Sequence, residues 1–237
     1  MASSSPALVR LNVGCGPTPT EGWVNYDNSW SVRLARRPAL VTVLSRAALI
    51  TAEQKHLCDV ARREGIRFGT AEAIAHADGS VDVIYSSHML EHLDRPTAQQ
   101  FLAEAFRVLK PGGVIRIAVP DLRLLVDRYN ADGDADRLVE ASFLASDMPR
   151  SLVGKLRYLV LGSRHHAWMY DARSLVAALE RAGFKSAQTV DAGTTTIEDP
   201  GALDLAERAD ESIYVEARRP AGDLAGHAGV TRADARS

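Results

Sequence analysis

Short apolar runs alternate along the chain with longer stretches in which apolar residues recur at helical spacing. The short runs are rich in β-branched residues and are bounded by glycine, proline or aspartate, which is typical of strands. They predict seven strands, at residues 7–13, 23–27, 66–68, 80–85, 114–119, 185–190 and 212–217. Strands that alternate with helices favour one α/β domain with a mostly parallel sheet.

The longer stretches predict helices between these strands. They cover residues 31–64 with a break at Pro38, then 96–109, 121–130, 134–146, 149–161 and 171–181. Proline ends or starts a helix because it lacks a backbone N–H. Glycine accepts the left-handed conformation that often follows the last turn of a helix, so we expect the helix at 171–181 to end at Gly183. Residues 220–237 have no apolar period, and we expect a disordered tail.

Composition narrows the class of protein. The 237 residues are 46% hydrophobic and carry a net charge of −2, which argues against a disordered chain or a general nucleic-acid binder. No apolar run approaches the roughly 18 residues of a membrane helix, and the first residues lack a secretory pattern. The two cysteines, Cys15 and Cys58, suit a reducing cytosol. We therefore expect a cytoplasmic protein without a membrane span, with its oligomeric state open.

A glycine turn follows the first predicted strand, at Gly14-Cys15-Gly16, and Asp27 ends the second. Glycine lets the backbone approach a ligand closely, and an acid at this place can accept hydrogen bonds from ribose hydroxyls. Asp27 comes only 13 residues after Gly14, whereas the dinucleotide pattern expects about 20. Prolines between them leave no room for a helix whose N-terminus would hold a pyrophosphate. A nucleoside ligand without phosphates fits better.

Four motifs in order carry a resemblance to a known family: Leu-Asn-Val-Gly-Cys-Gly at 11–16, Ser-Val-Asp-Val-Ile-Tyr-Ser-Ser at 80–87, His-Met-Leu-Glu-His-Leu at 88–93 and Phe-Arg-Val-Leu-Lys-Pro-Gly-Gly at 106–113. The chain resembles class I S-adenosylmethionine-dependent methyltransferases, in particular small bacterial ones with a shortened first helix. The resemblance implies a single-domain Rossmann-like fold over residues 7–219. Its mostly parallel seven-stranded sheet would have an antiparallel last strand, with helical insertions at 31–64 and 121–166.

The resemblance also implies the cofactor, S-adenosyl-L-methionine, and nine residues around it. These are Gly14, Cys15 and Gly16 under the methionine part, Asp27 and Asn28 at the ribose, Ala71 and Glu72 at the adenine, and Ser87 and His88 near the transferred methyl. Two positions depart from the family pattern: Asn12 stands where an acid is usual, and Thr18 replaces a third glycine. Both affect the details of the site more than the class.

Four residues are candidates for a catalytic base: His88, Asp121, His165 and His166. Histidine changes protonation near neutral pH, and all four follow strands or lie in the segment expected to cover the cleft, residues 121–170. Asp121 could equally cap a helix, as we expect of Asp171. Trp168 and Tyr170 offer flat faces to a sugar or aromatic ring, or anchor the covering segment in the core.

Local charge is uneven. Residues 149–170 contain no acid but four bases, so this stretch could attract a polar or anionic substrate, or be a solvated helix face. The arginines at 33–37 allow the same two interpretations, a surface that attracts a polar or anionic substrate or a solvated helix face. Neither stretch has the interleaved aromatic residues of a surface that binds single-stranded nucleic acid.

The main hypothesis is methyl transfer to a small molecule or glycan, with a sugar or secondary-metabolite oxygen preferred as acceptor. A second hypothesis is a non-catalytic S-adenosylmethionine-binding module, which the altered Asn12 and the missing third glycine favour. A third is a zinc peptidase, because His88, Glu91 and His92 match the His-x-x-Glu-His pattern. That pattern needs a regular helix and a further ligand, so we expect no metal.

Overall fold

The computed structural model describes residues 8–144 and 165–222. Seven strands form one sheet in the order β3-β2-β1-β4-β5-β7-β6. They are β1 (Arg10–Val13), β2 (Val24–Asp27), β3 (Arg67–Phe68), β4 (Val81–Ser87), β5 (Leu109–Pro120), β6 (Lys185–Val190) and β7 (Ser212–Arg218). β7 is antiparallel to both of its neighbours, β5 and β6, and the other pairs are parallel. The sequence-based prediction of a mostly parallel sheet with an antiparallel last strand is confirmed.

Seven α-helices pack around this sheet in the described part of the chain: α1 (Trp30–Leu34), α2 (Pro38–Arg46), α3 (Ala52–Arg63), α4 (Arg95–Val108), α5 (Leu122–Asp132), α6 (Ala135–Ser142) and α7 (Ala172–Arg181). Pro38 starts α2, where its missing N–H costs nothing. Thr51 and Gln54 form a capping box at α3. Gly183 follows α7 with a φ of +100°, as its position predicted. None of the helices in the described ranges has the length and apolar content that a membrane crossing needs.

Some element boundaries differ from the prediction. β5 begins at Leu109, so the Lys-Pro-Gly-Gly stretch continues into the strand instead of forming a separate turn. α6 ends at Ser142 because Phe143 adopts a left-handed conformation with a φ of +51°. The helix predicted at 149–161 and most of the predicted tail lie outside the described residues, so the acid-free stretch at 149–170 is described only at its end.

The main core lies between one face of the sheet and helices α4 and α7. Phe101 and Ala105 of α4 and Leu175 and Leu179 of α7 are fully buried there. They recur three or four residues apart, so each helix presents one apolar stripe to the sheet. This layer holds β1, β4 and β5 side by side, and thereby fixes the positions of their carboxyl ends.

The opposite face of the sheet carries a row of polar side chains. The strand register aligns Asn12 with Tyr85, Tyr85 with Arg116, and Arg116 with Glu216. Arg116 and Glu216 form a buried ion pair, with Nη1 and Oε1 2.6 Å apart. The Tyr85 hydroxyl donates to Glu207 Oε2 at 2.8 Å. The segment 191–211, which includes Glu207, therefore covers this face through hydrogen bonds as well as apolar contacts.

Candidate functional site

The carboxyl ends of β1, β2 and β4 meet at one edge of the sheet, where the glycine turn lies. Gly14 and Gly16 have φ angles of +78° and +52°, which side chains disfavour. The N–H groups of Gly14 and Cys15 both donate to the Tyr26 carbonyl, at 2.8 and 3.0 Å. The turn is thus held against the end of β2, and no helix lies between β1 and β2. The shortened first helix is confirmed.

Asp27 is held in place by two backbone donors. Gly16 N–H donates to Oδ2 at 3.1 Å and Ser29 N–H donates to Oδ1 at 2.8 Å. Each carboxylate oxygen can accept a further hydrogen bond, and the side chain is only half-buried. Ser29 Oγ is buried nearby without a hydrogen-bond partner among the described residues. This arrangement presents fixed acceptors to a ligand with adjacent hydroxyl groups.

The two glycines of the turn have different surroundings. A Cβ on Gly14 would lie 2.3 Å from Met89 Cγ, a distance that no real contact allows. A Cβ on Gly16 would meet no atom within 4 Å. Gly14 therefore lets the turn pack against the chain that leaves β4, whereas Gly16 borders open space where a ligand can approach its backbone.

Cys15 and Asn12 point away from that open space. The Cys15 side chain is buried in a cluster with Val32 and Cys58, so only its backbone shapes the turn. Burial, followed by the nearby Asp27 charge, raises the pKa of the Cys15 thiol to about 12. Asn12 is buried and donates from Nδ2 to Thr20 Oγ1 at 3.1 Å. The residue that replaces the usual acid is thus occupied within the protein.

The residues assigned to the adenine follow β3, beside Asp27. Gly69 N–H donates to the Asp27 carbonyl at 3.3 Å, which brings the loop after β3 to this edge. Ala71 is buried in the main core, and Glu72 is half-buried. Asn28, the second residue assigned to the ribose, is exposed. Asn28 and Glu72 are therefore accessible to a ligand. Ala71 can contact a ligand only through its backbone.

His88 follows Ser87 at the end of β4 with a φ of +47°, a conformation uncommon outside glycine. Its Nε2 lies 2.8 Å from Ser212 Oγ, and its Nδ1 lies 3.2 Å from Arg208 Nη1. Because arginine only donates hydrogen bonds, Nδ1 accepts and Nε2 carries the proton. These two contacts therefore hold the imidazole in one orientation at the strand end. Strained backbone of this kind is frequent at functional sites.

The segment 165–171 lies directly against the turn that follows β4. Ala167 N–H donates to the Glu91 carbonyl at 2.7 Å, and Leu122 N–H donates to the Tyr170 carbonyl at 2.9 Å. His166 is thereby buried, with Nε2 4.0 Å from Glu91 Oε1. Burial outweighs the nearby Glu91 charge and lowers the pKa of His166, so this imidazole is neutral at pH 7. His165 is half-buried, and its carbonyl lies 2.9 Å from Nδ1 of His92.

The remaining candidates divide between structural and accessible positions. Asp121 caps α5 through a hydrogen bond from Arg123 N–H, so one carboxylate oxygen serves the helix. Asp171 caps α7 with a capping box, as predicted. Tyr170 is a core residue, whereas Trp168 is 39% exposed and stacks with Arg95, whose guanidinium carbon is 4.5 Å from the ring centre. Trp168 keeps an accessible aromatic face.

Three residues at this edge were not predicted from the sequence as partners of His88. Ser212 and Arg208 contact its two ring nitrogens, and Glu91 Oε1 lies 3.3 Å from Nδ1. Ser212 begins β7, and because β7 is antiparallel its first residue lies beside Pro120 at the carboxyl end of β5. An antiparallel placement of the last strand was the signal that could have identified this position.

The zinc-peptidase interpretation is wrong in its geometry. It requires His88 and His92 one turn apart on a regular helix. In the structure β4 ends at Ser87, and only a single 3-10 turn, Leu90–His92, follows before α4. The two histidines face different partners, Ser212 and the His165 carbonyl.

Comparison with known proteins agrees with this geometry. Residues 11–117 match the family described as "Methyltransferase domain". A Mycolicibacterium smegmatis protein named "probable S-adenosylmethionine-dependent methyltransferase" is 41% identical over 59 residues, which are 25% of this chain and 22% of that protein. A Streptomyces fradiae protein of a transposon, named an uncharacterized 37.1 kDa protein, is 28% identical over 124 residues, 52% of this chain and 33% of that protein. The chain thus spans a third or less of these relatives.

A solved structure from Methanosarcina mazei, described as an S-adenosylmethionine-dependent methyltransferase, is 17% identical. The match covers 89% of this chain and 92% of that one, with a TM-score of 0.49. The family match spans β1 to β5, the strands that build the glycine turn, Asp27 and His88. Over residues 11–117 the chain is thus similar to the methyltransferase domain family, and the sheet order is the one that this similarity implies.

Proposed function

We propose that this protein transfers the methyl group of S-adenosyl-L-methionine to an oxygen atom of a small molecule or saccharide. The observation that carries the proposal is the Asp27 carboxylate, which two backbone N–H groups hold beside the glycine turn. Its free lone pairs suit the two hydroxyls of a ribose. The family match supports the same cofactor.

We place the other parts of the cofactor at the same edge of the sheet. In this proposal the methionine part lies along Gly14, Cys15 and Gly16, where Gly16 borders open space. Asn28 lies at the ribose, and Ala71 and Glu72 flank the adenine. Ser87 and His88 approach the sulfonium end. The absence of a helix between β1 and β2 removes the usual anion site, which suits a ligand without phosphates.

The chemistry asks the protein mainly to align the acceptor. The acceptor oxygen attacks the methyl carbon, the carbon–sulfur bond breaks with its electrons moving to sulfur, and the hydroxyl proton passes to a base. Alignment of the two reactants supplies a large part of such a rate enhancement. A neutral imidazole within hydrogen-bond reach of the hydroxyl assists by taking the proton.

His166 is the base that we favour, because both ring nitrogens of His88 already have partners within the protein. His166 lies against the turn that follows β4, and burial keeps its pKa low, so this imidazole is neutral at pH 7. Asp121 and His165 remain candidates of the second rank, since Asp121 already caps α5 and His165 contacts His92 through its backbone. The exposed face of Trp168 suits the apolar face of a sugar or aromatic acceptor.

We also propose the boundaries and setting of the enzyme. The domain covers residues 7–219, residues 121–170 cover the acceptor, and residues 220–237 form a tail. Two free, buried cysteines, at positions 15 and 58, are consistent with a cytoplasmic location. We expect no nucleic-acid partner.

A second candidate function is a binding module that holds the cofactor without transferring its methyl group. The observation that favours it is His88, because both of its ring nitrogens already have partners within the protein. Turnover distinguishes the two functions. The protein is incubated with S-adenosylmethionine labelled in its methyl group and with a panel of sugars, phenols and polyketide-type alcohols.

The enzyme hypothesis predicts label in an oxygen-bearing acceptor and release of S-adenosylhomocysteine. His166→Asn should reduce turnover at least tenfold without changing cofactor affinity. An exposed histidine on α3, replaced in His56→Asn, serves as the matched control and should leave turnover unchanged. Tight cofactor binding with no labelled product across the panel would support the binding module instead.

A further inference from the structure

Three side chains that can bind a metal ion converge beside the proposed acceptor site. One ligand atom each of Glu91, His92 and His166 lies within 4.8 Å of the other two. Two of these residues come from the 3-10 turn after β4, and the third comes from the segment 165–171. Hydrogen bonds from Ala167 and Trp168 N–H to the Glu91 carbonyl, at 2.7 and 3.1 Å, hold the two segments together.

The Glu91 carboxylate lacks the partners that a buried charge needs. Its side chain is 1% exposed, and neither carboxylate oxygen accepts a hydrogen bond from any described residue. His88 Nδ1 lies 3.3 Å away, but its lone pair faces the Arg208 guanidinium. A buried carboxylate without donors is strongly unfavourable unless a cation or a proton compensates its charge. A bound cation would supply that compensation.

The two histidines present suitable nitrogens. His92 Nδ1 lies 2.9 Å from the His165 carbonyl, which can only accept, so Nδ1 carries the proton. Its Nε2 lone pair is then free for a ligand, and a backbone carbonyl on the far nitrogen is the common support of metal-binding histidines. His166 is buried as a neutral imidazole, and its ring centre lies 5.0 Å from that of His92.

We propose that Glu91, His92 and His166 bind a divalent transition-metal ion, for which Zn²⁺ has the matching ligand preference. Bonds of about 2.1 Å in a tetrahedron place ligand atoms about 3.4 Å apart, so the side chains close by about an ångström on binding. This set differs from the peptidase pattern because Glu91 is a ligand and His88 is not. It also replaces the expectation from sequence that the chain holds no metal.

Three protein ligands leave a fourth position open, as in catalytic zinc sites. His92 is exposed, so this position is reached from solvent. On the proposed function above, the fourth ligand is the acceptor's hydroxyl oxygen, whose pKa a bound metal lowers. His166 then holds the metal instead of taking the proton itself, and the hydroxyl proton passes to water. The acceptor class is then one with a hydroxyl able to coordinate the metal, such as a phenol or a vicinal diol.

Titration of the untagged protein with ZnCl2 tests the site. The protein is first dialysed against a chelator and then studied by calorimetry at pH 7, with Co²⁺ absorption as a second readout. We expect one equivalent of Zn²⁺ with a micromolar or lower Kd and a tetrahedral Co²⁺ spectrum. Glu91→Gln and His166→Asn should each weaken binding at least tenfold. The exposed His92→Asn gives the same test without disturbing a buried residue, and His56→Asn is the control.

The absence of saturable Zn²⁺ binding by the wild-type protein would overturn the metal site. Unchanged affinity in His92→Asn, with its fold intact by circular dichroism, would also overturn it. S-adenosylhomocysteine binding is measured on the same samples without metal. If the cofactor binds and zinc does not, only the metal site is contradicted and the proposed methyl transfer is not. If neither binds, both proposals are contradicted.

Discussion

Replacement of Asp27 removes the acceptor that we place at the cofactor ribose. The carboxylate is oriented by the N–H groups of Gly16 and Ser29 at 3.1 and 2.8 Å. Hydrogen bonds to a charged group contribute about 1.5–3 kcal/mol each, and the half-buried position favours the lower end. Two ribose hydroxyls then account for about 3 kcal/mol, so Asp27→Ala should weaken S-adenosylhomocysteine binding about 100-fold.

Asp27→Asn separates the loss of charge from the loss of the side chain. The amide keeps one oxygen acceptor, so we expect about a tenfold loss of affinity, roughly 1.4 kcal/mol. Isothermal titration calorimetry measures both variants, and urea denaturation shows whether the glycine turn is still held. Asp136→Ala is the matched control, because Asp136 is an exposed acid on α6. Affinity within twofold of wild type in Asp27→Ala would refute the ribose assignment.

Three further predictions concern the surrounding structure. Gly14→Ala should lower the free energy of unfolding by about 2 kcal/mol or more in urea denaturation, because the new Cβ would lie 2.3 Å from Met89 Cγ, and Gly14→Ala/Met89→Ala should recover part of that loss. Gly16→Ala should reduce cofactor affinity more than it reduces stability. Equal losses of stability at the two glycines would contradict this prediction. Burial alone would raise the pKa of Glu216, but hydrogen bonds from two threonines and the arginine partner lower it. A carboxyl whose pKa is lower in the folded state stabilises the protein at pH values above its unfolded pKa of about 4.3. Glu216→Gln should therefore reduce the free energy of unfolding by about 3 kcal/mol at pH 7, and by less as the pH falls below about 4. A loss of stability that does not change with pH would contradict this prediction. The Cys15 thiol, with a pKa of about 12, should resist iodoacetamide at pH 8 until the protein is unfolded, and rapid labelling of the native protein followed by mass spectrometry would show that it is accessible.

Periodicity predicted the strands and most of the helices because each buries one face or one stripe. Leu11, Ile84 and Ile115 on the strands are fully buried, and so are Leu175 and Leu179 on α7. One helix cap was also predictable locally, since Asp171 caps α7 with its own side chain, as expected. Boundaries were less predictable at 109–113, where pairing with β4 draws the glycine stretch into β5.

The candidate site was predictable only where it depends on local chain geometry. The positions of Gly16 and Asp27 follow from strand ends, which are local features of the sequence. The contacts of His88 with Arg208 and Ser212 join residues at least 120 positions apart, which no local pattern encodes. The same holds for the approach of His166 to Glu91, because it depends on where the segment 165–171 lies against the turn that follows β4.

The structure of the protein with S-adenosylhomocysteine bound tests the central claim most directly. The account predicts the ribose hydroxyls within hydrogen-bond distance of Asp27, the methionine part along Gly16, and the sulfur facing the end of β4 near His88. A ligand bound elsewhere on the protein, or no bound ligand at saturating concentration, would contradict it.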